Sequence, residues 1–203
     1  MNRRWLRWTY AGLLLALLGG CATTRAPAPG KANEAAWHAR QAALSQLSRW
    51  TMEARAGSGG IFGWSGSMHW VQNGSHFDIR IAGPLGVGAV RIAGTPQAIR
   101  VRTADKTYLT SHPERLLREQ LHMSLPVSGL RYWALGLPQP GTPAQVRVDD
   151  KGLLRHMRQA GWTLTYSHYV STHGRQLPQR FSAQKGDTRV RIVVEQWRLP
   201  GQA

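Results

Sequence analysis

The sequence predicts an α+β fold in which one large, curved antiparallel sheet is covered by about three helices. Two observations predict the sheet. Apolar and polar residues alternate with a period of two in ten or eleven short runs from Trp50 onward, and Asn73-Gly74 separates two of these runs as a hairpin turn would. A third observation predicts the helices, because three stretches before and between the runs carry apolar residues at helical spacing.

The first helix is predicted over 33–48, with Asn33 as its N-cap and Glu34 in its first turn. A second helix begins at the capping-box pattern of 111–114, where Ser is followed three residues later by Glu, and extends to about residue 123. The third occupies about 128–135 and ends at the Gly-Leu-Pro break that follows it. We expect all three helices to cover the apolar face of the sheet.

Strands are predicted where the alternation is clearest. In each run one set of alternate residues is apolar and faces the core, whereas the other set is polar and faces water. The runs cover 50–55, 64–71, 77–81, 87–93, 98–103, 107–110, 144–148, 153–159, 162–169, 179–184 and 189–197. Helices and strands together make 33–203 a single domain, because a chain of 203 residues is too short for more than one domain and a tail.

The N-terminal region has the features of an export signal. Residues 1–20 carry three arginines and no acid, followed by the short apolar run 11–18. The run ends at Leu-Gly-Gly-Cys21, which resembles the lipobox of bacterial lipoproteins and implies cleavage before Cys21 and lipidation of that residue. Ala22 in place of Asp favours the outer membrane. Residues 21–32 are small and contain proline, as expected of a flexible tether.

The chain is strongly basic, with 26 Lys and Arg against 10 Asp and Glu and a formal charge of +16. Such a charge commonly indicates nucleic-acid binding. Export removes that interpretation, because an exported protein does not meet chromosomal DNA, and loss of Arg3, Arg4 and Arg7 with the signal leaves +13. Three roles remain for the excess charge: attraction to anionic lipid head groups, attraction to an acidic carrier protein, or a solvated polar face. Arginines of the polar strand face are the candidates, namely Arg80, Arg91, Arg100 and Arg102.

Catalytic and cofactor motifs are absent from the sequence. The eight histidines and the scattered acids do not form an HExxH, GxSxG or paired-carboxylate pattern. The glycine-rich segments 57–60 and 83–88 lack the Lys and the strand-to-helix context of a phosphate-binding loop. A single Cys allows neither an internal disulfide nor a Cys-based zinc site. We therefore expect no enzyme activity, no cofactor and no metal.

Bulky apolar side chains are concentrated on one face of the predicted sheet. They form either a plain core or the lining of an apolar cavity beneath the helices, and aromatic residues at strand spacing usually form a core. The candidates for a lining, which we call the aromatic set, are Trp50, Trp64, Trp70, Phe77, Ile79, Trp133, Trp162 and Tyr166. A separate apolar residue, Leu85, lies between Pro84 and Gly86 at a turn, where a polar residue is usual and where it could contact lipid.

In its order of motifs the chain resembles the LolB family of outer-membrane lipoprotein receptors. The resemblance covers nearly the whole chain after the signal. Its elements are the lipobox at Cys21, Trp64-Ser65-Gly66, Trp70-Val71-Gln72, Phe77-Asp78-Ile79, Gly83-Pro84-Leu85-Gly86, Pro113-Glu114 with Leu116-Leu117, the segment from 125–127 to 136–138, Gly161-Trp162 with Tyr166 and Tyr169, and Leu177-Pro178. Two departures are mild: Gly83 stands where an Asn is also found, and the chain is rich in arginine.

The resemblance implies an incomplete, half-open barrel of about eleven strands that encloses an apolar cavity for lipoprotein acyl chains. It also implies a partner, the periplasmic carrier LolA, and a location in the periplasmic leaflet of the outer membrane. The protruding loop leucine of the family maps onto Leu85 and would place cargo in phospholipid. A monomer suffices for this transfer. The alternative is a non-catalytic outer-membrane assembly scaffold without a lipid cavity.

Overall fold

The computed structural model describes residues 31–59, 63–86, 88–122 and 125–201, which form one eleven-stranded sheet and three α-helices. The predicted signal over 1–20 and the predicted lipid anchor at Cys21 lie outside the described residues, as does most of the predicted tether. Helix α1 spans Lys31–Ser45, α2 spans Pro113–Leu121 and α3 spans Val127–Ala134. Within the described part of the chain, no helix is long and apolar enough to cross a membrane.

The strands follow one another as an antiparallel meander in two halves. Their bounds are β1 Arg49–Ser58, β2 Trp64–Asn73, β3 His76–Ala82, β4 Val90–Thr95, β5 Ala98–Arg102, β6 Thr107–Thr110, β7 Ala144–Val148, β8 Leu154–Gln159, β9 Trp162–Thr172, β10 Arg175–Lys185 and β11 Thr188–Arg198. Pairing of β1 with β11 joins the halves, which gives the order β6-β5-β4-β3-β2-β1-β11-β10-β9-β8-β7. Strands β6 and β7 are the two edges, so the sheet is open. The prediction of an α+β fold with an incomplete barrel of eleven strands and three helices is confirmed.

One face of the sheet forms the core. Its central part is a cluster of indoles in which the Trp50 ring lies 5.0 Å from Trp70 and 5.3 Å from Trp197. The indole N–H of Trp70 donates to Oε1 of the buried Gln72, whose Nε2 donates to the carbonyls of Gly74 and His76. The amide therefore links the core to the β2–β3 turn. Such burial is tolerated because the polar atoms have partners.

The β2–β3 hairpin is confirmed, with its turn one residue later than the sequence indicates. Asn73 pairs with His76, so the two loop residues are Gly74 and Ser75. Gly74 has φ +59°. The permissive backbone of glycine is therefore used at the first loop position, whereas Asn73 stays in the strand.

Two predicted helix caps are wrong. Helix α1 begins at Lys31, so Asn33 lies inside it and not before it. The N-cap of α2 is His112, which makes no side-chain cap hydrogen bond. Oε1 of Glu114 instead accepts hydrogen bonds from the backbone N–H and the hydroxyl of Ser128, at 2.7 and 2.6 Å. The carboxylate therefore satisfies a free N–H in the first turn of α3, where tertiary packing offers a better donor than its own helix does.

Gly94 in β4 provides a test of the register between β4 and β5, in which it pairs with Ile99. Its φ is +143°, and a Cβ built there would lie 2.1 Å from the carbonyl oxygen of Ala98. We expect Gly94→Ala to lower the free energy of unfolding by about 3 kcal/mol, because strain and overlap both act there. The control Gly59→Ala, at an exposed position with no atom within 4 Å of the added Cβ, should change it by less than about 0.5 kcal/mol. Urea denaturation measures both, and equal midpoints would contradict the assigned register.

Candidate functional site

A groove of about 690 Å³ lies between α1, the C-terminal end of α3 and the edge strand β7. Most of its walls are apolar. The lining residues are Trp37, Gln41, Leu44, Ser45 and Leu47 on one side, Arg131, Tyr132, Leu135, Leu137, Pro138, Gln139, Pro140, Gly141 and Thr142 on the other, and Ala144 and Val146 on β7. A cavity of this size falls within the range of small-molecule and cofactor sites.

Helical spacing places the side chains of the first wall. Trp37, Gln41 and Leu44 are separated by four and three residues, so they share one face of α1. Trp37 and Leu44 are buried, whereas the neighbouring His38 and Ser45 are exposed. The apolar stripe of α1 therefore packs inward and forms one side of the groove, in agreement with the predicted amphipathic cover.

The strand register places the floor. Ala144 and Val146 of β7 pair with Gln159 and Met157 of β8, both of which are buried. Residues directly opposite on paired strands point to the same face. Ala144 and Val146 therefore face the helices, and the exposed fraction of 38% at Val146 reflects the open groove above it.

The segment after α3 is fixed to the sheet by the buried side chain of Gln159. Its Oε1 accepts hydrogen bonds from the indole N–H of Trp133 and the backbone N–H of Gln139, both at 2.8 Å. Its Nε2 donates to the carbonyls of Gln139 and Thr142, both at 2.9 Å. All four hydrogen-bonding positions of the amide, two acceptors and two donors, are therefore used. Gln159 thereby holds α3 and 139–142 in register with β8.

Helix α1 is attached by Arg40. The guanidinium lies 5.1 Å from the centre of the Tyr169 ring and donates to the carbonyls of Gln176 and Leu135. Burial lowers the pKa of Arg40, and burial raises the pKa of Tyr169, whose hydroxyl donates to the carbonyl of Leu154 at 2.6 Å. Both shifts follow from removing a charge from water. The helix is therefore held through one cationic side chain over an aromatic ring.

The structure places the aromatic set in and around the packed core and not along this groove. Trp50, Trp70, Ile79, Trp133 and Tyr166 are buried, and Trp64, Phe77 and Trp162 are partly buried against them. Trp133 and Trp162 lie 6.1 Å apart, and Tyr166 stacks on Phe181 at 5.6 Å. Trp162 also borders a shallower pocket of about 400 Å³ beside 143–145. That these side chains line a space for acyl chains stays a prediction.

Sequence reasoning missed the segment 135–142, which forms the second wall of the groove opposite α1. Residues 135–142 have no periodicity, and the Gly-Leu-Pro break marks only the end of a helix. The available signal is compositional, because Leu135 and Leu137 are apolar residues in a segment rich in Gly and Pro. Both are buried in the structure.

The predicted membrane loop is a short 3-10 turn over Pro84–Gly86. The N–H of Gly86 donates to the carbonyl of Gly83 at 3.0 Å, and Gly86 has φ +79°. Pro84 and Gly86 are exposed. The side chain of Leu85 lies outside the described part of the structure, so its contact with lipid stays a prediction.

Fold and sequence together define the class of protein. The family model described as "Outer membrane lipoprotein LolB" matches residues 48–197. The chain therefore belongs to the LolB family of outer-membrane lipoproteins.

Individual relatives agree over nearly the whole chain. The outer-membrane lipoprotein LolB of Ectopseudomonas mendocina is 36% identical over 95% of this chain and 96% of its own length. LolB of Nitrosococcus oceani is 35% identical over 97% of this chain and 99% of its own. Among solved structures, the LolA superfamily protein from Nitrosomonas europaea matches with a TM-score of 0.52 and 8% identity, covering 84% of this chain and 94% of that one. The structural likeness supports the fold.

Replacement of Gln159 by Leu tests the attachment of the second wall. The substitution leaves the Trp133 indole and the backbone groups of Gln139 and Thr142 without partners. We expect the free energy of unfolding to fall by about 4 kcal/mol, since each buried unpaired group costs about 1–3 kcal/mol. The exposed Gln184, whose amide has one hydrogen bond of 3.4 Å, provides the control Gln184→Leu. If chemical denaturation gave the same stability for both variants, the amide would not hold the wall.

Proposed function

We propose that this protein receives acylated lipoproteins from the periplasmic carrier LolA and inserts them into the outer membrane without nucleotide hydrolysis. It acts as a monomer, anchored through a lipid on Cys21 in the periplasmic leaflet. The observation that carries the proposal is the groove between α1, α3 and β7, which is lined by both apolar and polar side chains, in a chain that belongs to the LolB family. No covalent step on the cargo is part of this function.

The cost of exposing acyl chains to water requires direct transfer. At about 0.8 kcal/mol per methylene, one chain of roughly fifteen methylenes loses on the order of 12 kcal/mol on entering water. Three chains could not dissociate on a useful timescale. Cargo therefore passes directly from one apolar cavity to another. The direction of transfer follows if the affinity for acyl chains is lower in the carrier than in the receptor, and lower in the receptor than in the bilayer.

The groove is the proposed entrance for the chains. Its polar lining groups, among them Gln41, Arg131 and Thr142, can solvate the glyceryl ester and the N-terminal peptide of the cargo. The aromatic set lies deeper and provides the proposed inner wall, which chains reach when the helical layer separates from the sheet. We propose that Trp133 couples the two regions. It lies beside Trp162 and donates to Gln159, whose amide also binds the groove residues Gln139 and Thr142.

A charge in the groove should block acyl-chain binding. Val146 lines the groove and Val193 lies on β11 outside it, and both side chains are 38% exposed, so they form a matched pair. We expect Val146→Glu to weaken binding of a fluorescent fatty acid by at least about tenfold, because a carboxylate is costly to remove from water. Val193→Glu should bind the probe as the unsubstituted protein does.

The same pair should be tested with cargo. Transfer of an acylated lipoprotein from LolA to each variant, in the mature chain carrying Cys21→Ala, separates a lipid receptor from a scaffold. Normal uptake by Val146→Glu would refute the groove as the entrance. Absence of both probe binding and uptake in the unsubstituted protein would favour the scaffold.

The turn at 84–86 should act only in the second step. We expect Leu85→Glu to accept cargo from LolA at the normal level and to fail to deliver it to liposomes, because a carboxylate does not enter the hydrocarbon region. Uptake serves as the internal control for folding. Normal delivery to liposomes by this variant would show that Leu85 has no part in membrane insertion.

A further inference from the structure

Three arginines lie side by side across the exposed face of the sheet. Arg80 of β3 is directly opposite Arg91 of β4, and Arg91 is directly opposite Arg102 of β5. All three residues are exposed. Because opposite residues on paired antiparallel strands have Cβ atoms about 5 Å apart, three like charges form one continuous row. We call this set, with Arg100 two residues from Arg102 on β5, the arginine row.

Little of this charge is neutralised within the protein. Asp78 lies on the same face, where it pairs with Arg91 and lies 3.6 Å from Arg80. Within the described residues, neither Arg100 nor Arg102 has a carboxylate within 4.0 Å. Like charges directly opposite each other destabilise a sheet. An arrangement that costs stability and leaves two of its four cations without a carboxylate partner in the described part of the chain is suited to an external anion.

An apolar residue lies next to these cations. Leu109 on the edge strand β6 is directly opposite Arg100, and its exposed fraction of 76% is the highest among the large hydrophobic residues of the described chain. In the same line across the sheet follow Ala93 and Asp78, and then Val71, which is 39% exposed. Basic and apolar side chains on one surface are typical of proteins that lie at a membrane interface.

The topology places this surface at the end of the sheet that carries the 84–86 turn. The β3–β4 connection and the β5–β6 turn lie at the same end, because β3 and β5 run in the same direction. The pair Ile81–Val90 closes the first connection, and the pair Arg80–Arg91 is next to it. The arginine row therefore begins about one residue, or roughly 3.3 Å, below the connection that contains Pro84–Gly86.

We propose that the arginine row and Leu109 form a docking surface for anionic phospholipid head groups. The surface orients the domain so that the exposed strands β3 to β6 lie against the leaflet, with the 84–86 turn toward it. The partner is a bilayer and not an acidic protein, because the apolar Leu109 and the adjoining turn need an apolar medium beside the anions. The proposal extends the proposed function by assigning the contact with lipid, and it can fail independently of acyl-chain binding.

The test removes two charges that have no carboxylate partner. The double variant Arg100→Gln, Arg102→Gln is compared with Arg180→Gln, Arg191→Gln, which removes two exposed arginines from β10 and β11 in the other half of the same sheet. Both are made in residues 21–203 with Cys21→Ala, since every described element lies within 31–201. Flotation with phosphatidylcholine vesicles, with and without phosphatidylglycerol, measures binding. Matching circular dichroism and melting curves establish that both variants are folded.

The expected result is specific to the row and to anionic lipid. Binding to vesicles with phosphatidylglycerol should fall about thirty-fold in the row variant. This estimate takes about 1 kcal/mol for each of the two arginines near an anionic surface, and a tenfold change in affinity for each 1.4 kcal/mol. It should fall less than about threefold in the control variant and should weaken with salt for the unsubstituted protein. Leu109→Ser should lower binding several-fold without changing the salt dependence. Uptake of cargo from LolA should be unchanged in all variants.

Three outcomes would overturn the proposal. Equal losses in the two double variants would show that net charge alone attracts the protein to lipid. Unchanged vesicle binding in the row variant, together with slower salt-dependent uptake from LolA, would show that the row binds an acidic protein. Absence of binding by the unsubstituted protein to any vesicle would show that this face does not dock on lipid. A loss of fatty-acid binding at the groove would contradict the proposed function and leave the vesicle result intact.

Discussion

The side-chain amide of Gln159 is the interaction on which the arrangement of the helical layer depends. It connects an indole of α3, the backbone of 139–142 and strand β8 through four hydrogen bonds between 2.8 and 2.9 Å. In a buried place each of these groups would be costly without its partner, so only one position of the segment satisfies them all. That position sets the course of 135–142, which contacts α1 at its start through Arg40 and Leu135 and then leaves the groove between itself and the helix. The hydrogen bonds of Gln159 therefore determine the position of one wall of the groove.

The opposite wall is held differently. Helix α1 contacts the sheet through Trp37 and Leu44 and through Arg40, whose guanidinium lies over Tyr169 and donates to backbone carbonyls. Its buried Nε has no hydrogen-bond partner in the structure, and burial lowers the pKa of the group. An incompletely satisfied cation stabilises its position less than a fully bonded amide does. The groove thus has one wall fixed by a complete polar network and one wall whose displacement costs less. The proposed entry of acyl chains makes use of the second wall.

Most of the fold could be predicted from the sequence, because alternation of apolar and polar residues is a local signal. All eleven strands and three helices lie where periodicity places them, with ends shifted by a few residues. The prediction of a capping box at 111–114 was wrong because Glu114 binds Ser128 of another helix, and a local sequence pattern does not contain such a contact. The site was harder for the same reason. Trp37 and Leu44 carry a helical signal, whereas 135–142 acquires its place through Gln159, and a lone Gln in a strand looks like any other polar residue. Likewise the strand members of the aromatic set lie on the core side of the sheet and Trp133 packs on them from α3, but periodicity does not distinguish a filled core from a lined cavity, so a lining role stays a prediction.

Strands β3, β4 and β5 contribute both to the core and to the arginine row. Because successive side chains of a strand point to opposite faces of the sheet, the two sets of residues are separated. Ile79, Ile92 and Val101 are buried on one side of β3, β4 and β5, while Arg80, Arg91 and Arg102 are exposed on the other. A side chain on the outer face touches few core atoms, so its charge can change with little effect on packing. Charge on that face is therefore adjustable in a way that the indole cluster and Gln159 are not. The high arginine content of this chain follows the same division: it is compatible with a fold set by the inner face, and the docking surface that we propose uses it on the outer face.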